Sequence, residues 1–460
     1  MSSAGSVVRA NASAPWGWLA LGFTAIAALA ALAIWRPAYN TVVVLSGSSL
    51  LGACSGLVGS FAVLRGRALM GDALAHAALP GLGLAFLIMG QLSLPGMLLG
   101  ALATGLLGVG CVAVLRRLTR TKEDAAIGIV LSVFFGVGIV LSQQIQQHTA
   151  SGAQAGLDSY IYGKTAGMLR SDVLLIAAVA AGCLVVIGAL YKEFKLVSFD
   201  SGFAQTQGWP VLWLDLAIMA LLAVTVIIGL PAVGVVLMAA LLILPAAAAR
   251  FWTDRLGSLV ALASVFGLTI GAVGTTISAL AEELPAGPVI VLVGAALFLT
   301  SLLLAPKRGA IAHLLERRRF QRRLDRQRLL AAAYDVAEAA GPGPQSRATL
   351  ARRAGLSSAT IERLLAGAET AGLARCPSLG EYSLTERGER EAQRAARAER
   401  LWQEYLVAEP DEAGGLISLD YESIDSELPP DVVALLEARL AAAGRLPRMI
   451  SASQASTNSG

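Results

Sequence analysis

From about residue 17 to residue 305 the chain is a succession of apolar runs, separated by short polar or turn-forming stretches. A run of about 20 apolar residues crosses a bilayer core of roughly 30 Å as a helix. Lipid offers the backbone no hydrogen-bond partner, so every such run is predicted to be helical. The pattern places spans at 17–35, 41–64, 69–90, 94–115, 125–147, 171–191, 211–229, 232–250, 256–280 and 287–305. After Pro306 the run of apolar stretches ends, and Arg- and Glu-rich segments read like an ordinary soluble domain.

Composition agrees with two solvents. Apolar residues make up 55% of the chain and charged residues 15%, against about 45–50% and about 25% in soluble domains. The first 15 residues carry one Arg and no cleavage signature, so the run from 17 is read as a retained span. The expected domains are a tail at 1–16, a membrane domain at 17–305, a basic juxtamembrane helix at 306–328, a soluble domain at 329–450 and a disordered end at 451–460.

Basic residues set the orientation. Arg65 and Arg67 follow the second span, Arg116, Arg117, Arg120 and Lys122 the fourth, Lys192 and Lys195 the sixth, Arg250 and Arg255 the eighth, Lys307 and Arg308 the last. Positive charge collects on the cytoplasmic side, so both termini are expected in the cytoplasm. Dense small residues, such as Gly52, Ala53, Ser55, Gly56 and Gly59, or Gly100, Ala101, Gly105 and Gly108, predict close helix packing. Cys54, Cys111, Cys183 and Cys376 are scattered and lack metal-finger spacing, which reads as buried, inert thiols.

Charge inside a span is costly, by roughly 2.5–3.5 kcal/mol at mid-depth, and marks a functional candidate. Asp72 and His76 lie four apart in LRGRALMGDALAHAALPG and share one helix face. A carboxylate and an imidazole there can hold a divalent cation; the competing reading is a hydrogen bond that only packs helices. Gly71, Pro80 and Gly81 suggest an interrupted helix of the kind that lines substrate paths. The other histidines, His148 and His313, read as surface residues, and Glu282 and Glu283 flank a turn before Pro285.

The segment GDALAHAALPGLGLAFL resembles the signature of the ABC-type manganese/zinc/iron permeases. The resemblance continues through KEDAAIGIVLSVFFGVGIVL, FKLVSFDSGFAQTQGWP, VGVVLMAALLILPAAAAR and LPAGPVIVLV, in order across residues 40–305. It implies that Asp72 and His76 line a metal path, and that Phe199, Asp200, Ala204 and Gly208 belong to a coupling segment that docks on the nucleotide-binding subunit. It further implies an importer of manganese, zinc or iron in a bacterial cell membrane. The metal is substrate, and no cofactor is permanently bound. Partners would be a cytoplasmic ABC ATPase dimer, an extracytoplasmic metal-binding lipoprotein, and a second permease subunit in a homo- or heterodimer. The chain itself would catalyse nothing. Tyr162-Gly163-Lys164-Thr165 imitates a phosphate loop, but Asp158 stands where that motif needs Gly.

In the tail, nine basic residues between Lys307 and Arg328 face only Glu316 and Asp325, which suits a helix lying on anionic lipid. SRATLARRAGL, SSATIERLLAGAETAGL and RCPSLGEYSLTERG predict helix, turn at Gly355-Leu356-Ser357, Ser-capped helix and a hairpin at Gly380, the order of a winged helix. The segment resembles iron-dependent repressors, with AERLWQEYLV matching their dimerisation helix. Where those hold metal with His and Glu, this chain has Glu399 and Gln403. The recognition helix, 358–371, has Arg363 as its only base against Glu362 and Glu369, so DNA is disfavoured as a partner. The fold class is therefore an all-α polytopic membrane protein of about ten transmembrane helices, followed by a small cytoplasmic winged-helix-like domain. Two rivals remain: a permease for a chelate such as a siderophore or cobalamin, and a membrane-tethered regulator, which lacks the basic recognition helix it needs.

Overall fold

The computed structural model describes residues 39–89, 94–148, 163–280, 284–306, 308–341, 343–378, 380–408 and 428–448. The predicted span 17–35, Glu282, Glu283 and the end segment 451–460 lie outside the described residues. The chain divides into two compact units, Met1–His313 and Leu314–Gly460.

Among the described residues the first unit is built of helices: α1 (Tyr39–Leu64), α2 (Met70–Met89), α3 (Leu94–Leu118), α4 (Glu123–His148), α5 (Arg170–Ala189), α6 (Tyr191–Phe199), α7 (Ser201–Thr206), α8 (Val211–Val233), α9 (Val235–Arg250), α10 (Leu256–Leu280) and α11 (Ala286–Leu304). Among the described residues, eight of these are long and apolar enough to cross a membrane. The one remaining predicted span within them, 232–250, is a shorter helix: α9 has 16 residues, about 24 Å at 1.5 Å per residue. Gly234 explains the difference. Its φ of 88° lies in the left-handed region that side chains avoid, so it ends α8 four residues later than predicted and starts α9 afresh.

The phosphate-loop imitation has a packing role at that break. Lys164 N donates to Pro231 O at 2.9 Å and Thr165 Oγ1 to Ala232 O at 2.6 Å, satisfying carbonyls that a helix end leaves open. A Cβ at Gly163 would lie 2.4 Å from Val233 C, so glycine is required for the approach.

Small residues fix the centre of the bundle. A Cβ added at Gly52 would stand 2.1 Å from Gly267 O, and one at Gly267 would stand 1.9 Å from Gly52 O. Gly56 and Gly271 meet the Ala263 and Ser48 carbonyls in the same way, so α1 and α10 touch backbone to backbone. Gly81 on α2 and Gly100 on α3 form a second such pair. Cys54 and Cys183 are buried and free, each 3.7 Å from Thr225 Oγ1.

The second unit holds most of α12 (Ala310–Ala340), then β1 (Gln345–Ser346), α13 (Arg347–Ala354), α14 (Ser358–Thr370), β2 (Ala374–Arg375), β3 (Glu381–Leu384), α15 (Glu386–Ala408) and α16 (Pro430–Ala442). α12 runs unbroken through 328, because nothing between 310 and 340 is Gly or Pro. Ser346 and Ser357 cap α13 and α14 by accepting from Ala348 N and Thr360 N. Gly355 ends α13 at φ 65°. The strands form an antiparallel sheet in the order β1-β3-β2. Leu329, Leu350, Ile361, Leu365 and Tyr382 make one core, and Leu401, Tyr405, Leu436 and Leu440 another. Arg400 ties α15 to α12 through Asp335 (2.7 Å) and Glu338 (2.6 Å), and donates to Arg445 O at 2.7 Å.

Candidate functional site

Asp72 and His76 stand in the first two turns of α2, a helix buried along most of its length. His76 Nε2 lies 3.5 Å from Asp72 Oδ1, and the side chains are 17% and 37% exposed. The two groups thus share a stripe of α2 that this chain leaves partly open, and the imidazole edge abuts Phe135 of α4, 4.8 Å between ring centroids. His76 Nδ1 is buried without a hydrogen-bond partner; an unmet buried polar atom costs about 1–3 kcal/mol.

The interrupted helix expected around Pro80 is not what forms. α2 continues through Pro80 to Met89, held because Gly138 of α4 admits Leu79 and Pro80, and Gly81 seats against Gly100. Proline still has no N–H to give the carbonyl four residues earlier, and that carbonyl belongs to His76. The helix is therefore locally weakened at the candidate ligand.

Chemically, the pair offers one carboxylate and one imidazole. Among the described residues no group of three or more His, Cys, Asp or Glu is placed to hold a metal ion. Zinc takes about four ligands, so two side chains of one copy leave a coordination sphere incomplete.

The segment at 199–208 folds as a compact corner. Asp200 caps α7 by accepting from Phe203 N at 2.8 Å, Ala204 is fully buried, and Gly208 turns the chain at φ 79°. Phe199 and Phe203 are 61% and 51% exposed, and Trp209 is also exposed. The structure does not bring these residues together with Asp72 and His76 into one site.

What the sequence reading missed lies between them. Arg65, Arg67, Arg116, Glu123 and Asp215 converge in one cluster of ion pairs. The arginines entered only as markers of orientation. Asp215, a carboxylate inside the apolar run VLWLDLAIM, was the signal that could have disclosed it.

A model of the ABC 3 transport family matches residues 38–305. The chain is 41% identical over 414 residues to the manganese transport system membrane protein MntC of Bacillus subtilis (strain 168), covering 90% of this chain and 94% of the relative. It is 45% identical over 283 residues to the zinc transport system membrane protein TroC of Treponema pallidum (strain Nichols), covering 61% and 94%. Among solved structures, PsaBC from Streptococcus pneumoniae in complex with Fab matches with a TM-score of 0.53 and 32% identity, over 60% of this chain and 96% of that one.

Proposed function

The chain belongs to the ABC 3 transport family, and from that premise we propose that it is the membrane-spanning subunit of an ATP-driven importer of manganese, zinc or iron(II). The relatives named for manganese and zinc transport support the substrate class. Asp72 and His76, paired on the partly open stripe of α2, are the observation that carries the pathway assignment. Metal passes them as substrate. Because one copy supplies two donors, a second permease subunit or water completes the coordination.

ATP hydrolysis comes from a separate cytoplasmic ATPase dimer. It docks on the corner of Phe199, Asp200, Ala204 and Gly208, whose exposed Phe199 and Phe203 suit insertion into a partner's cleft. An extracytoplasmic lipoprotein delivers the metal. The arginine-rich end of the bundle faces the cytoplasm of a bacterial cell, in accord with the charge rule. The second unit is a winged-helix-like module with a regulatory or dimer-stabilising role. Its lone Arg363 on α14 leaves few phosphate contacts for DNA.

The test is metal uptake in proteoliposomes containing this chain, its ATPase and its binding protein, offered manganese, zinc and iron(II) in competition. We expect one metal to dominate and Asp72→Ala to abolish its uptake. An Asp72→Ala transporter as active as wild type would make the pair a packing contact and bring a metal-chelate permease to the front.

A further inference from the structure

At one end of the bundle, three guanidinium groups share two carboxylates, the five side chains coming from four places in the chain. Asp215, near the start of α8, accepts from Arg67 Nη1 at 2.5 Å and from Arg65 Nη2 at 3.0 Å. Glu123, the first residue of α4, takes the Arg67 Nε–H and, at 3.2 Å, Arg116 Nη2 from the last turn of α3. Arg65 and Arg67 occupy the turn between α1 and α2 and are 11% and 7% exposed. A fifth contact leaves the cluster: Arg65 Nη1 donates to the Val197 carbonyl of α6 at 2.8 Å.

These contacts make a continuous line. α6 runs directly into the corner at Asp200 and α7, with the exposed Phe199 and Phe203. The Arg67 backbone joins α1 to α2, its N–H donating to Ala62 O at 2.8 Å and its C=O accepting from Met70 N at 3.0 Å, and Asp72 follows two residues later. Beside the cluster lies a cavity of about 300 Å³, lined by Ser201 and Gln205 of α7 as well as Met70, Arg116 and Asp215. The corner therefore has open space to move into, and the charged groups facing that space are those of the cluster together with Arg117. Three guanidinium groups over two carboxylates also permit re-pairing: each carboxylate already serves two arginines, so a shift of α6 can exchange partners without stranding a charge. Ion pairs that repack between discrete arrangements are a recurrent element of two-state transitions.

We propose that the Arg65–Arg67–Asp215–Glu123 cluster transmits movement of the 199–208 corner to the foot of α2, setting the position of Asp72 and His76. These are positioning residues, acting through α2 and not on the metal. The inference rests on the reading of the corner as the ATPase contact.

The experiment measures metal taken up and ATP hydrolysed in the same proteoliposomes, with the complete transporter carrying wild-type chain, Asp215→Asn, Asp215→Glu or Arg65→Lys. A merely structural cluster lowers both activities together. A transmission cluster lowers metal moved per ATP, by about tenfold for a coupling of ordinary size, while ATP hydrolysis continues and Asp215→Glu recovers most of the ratio. Arg65→Lys keeps the charge but cannot serve both Asp215 and the Val197 carbonyl, so it shows the same uncoupling and decides the matter if Asp215→Asn does not assemble. An unchanged ratio in Arg65→Lys, or a proportional loss of both activities, overturns the proposal. A wild-type transporter that moves no metal would instead sink the permease reading.

Discussion

Three carboxylates show how burial and partners assign different work to one functional group. Asp72 is over a third exposed beside an imidazole, Asp215 is held between two guanidinium groups, and Glu399 is partly buried on α15. Burial pushes the Glu399 carboxyl above the usual range, the negative charge of Asp335 adds to this, and Arg353, Arg328 and Arg400 offset part of it. A raised carboxyl binds its proton more tightly folded than unfolded, so stability is fully present below the unfolded value and declines as pH rises through the folded one. The second unit in the full chain should therefore melt at progressively lower temperature as pH rises from the ordinary carboxylate range, and Glu399→Gln should flatten that slope. An identical slope in the variant would mean Glu399 carries no linkage. At this scale the sequence disclosed Asp72 and His76 because their spacing is local. It hid the partners of Asp215, because arginines about 150 residues away in sequence leave no trace in a periodicity.

Between elements, backbone contact at glycine decides which helices are neighbours. Gly52 and Gly110 look alike in the sequence, each a glycine in an apolar run. An added Cβ at Gly52 collides with Gly267 O, whereas nothing lies within 4 Å of one at Gly110. Gly52→Ala should destabilise the detergent-solubilised protein by about 1–3 kcal/mol, the usual cost of overpacking, and Gly110→Ala should leave thermal melting close to wild type. Equal melting of the two variants would contradict the contact. Small-residue density announced tight packing, but not that α1 pairs with α10, because composition marks a face and not what covers it. The same limit produced the misjudged α2: Pro80 and Gly81 read as a break, while Gly138 and Gly100 on other helices allow the helix to continue.

For the whole molecule, the alternation of apolar runs gave the helical membrane unit, its switch to charged residues marked the approach to the second, and Ser caps with Gly355 foretold the helix-turn-helix order. These signals are local, and so survived without a structure. The zinc transport relative is matched over 94% of its length by only 61% of this chain, and the family model matches residues 38–305, which end before the second unit. Ending the chain after His313 should accordingly leave metal uptake at roughly half of wild type or better, since a domain with its own core is separable. Complete loss in the proteoliposome assay would assign the second unit a part in assembly. The membrane unit has its own division of labour. At Gly52, Gly56, Gly267 and Gly271, carbonyl oxygens of one helix sit where the other carries only hydrogens. Sliding either helix by a residue would bring side chains into those places, as jammed gear teeth would. α1 and α10 must then turn together as an axle, and any rocking of the bundle has to be hinged in the helices mounted around it.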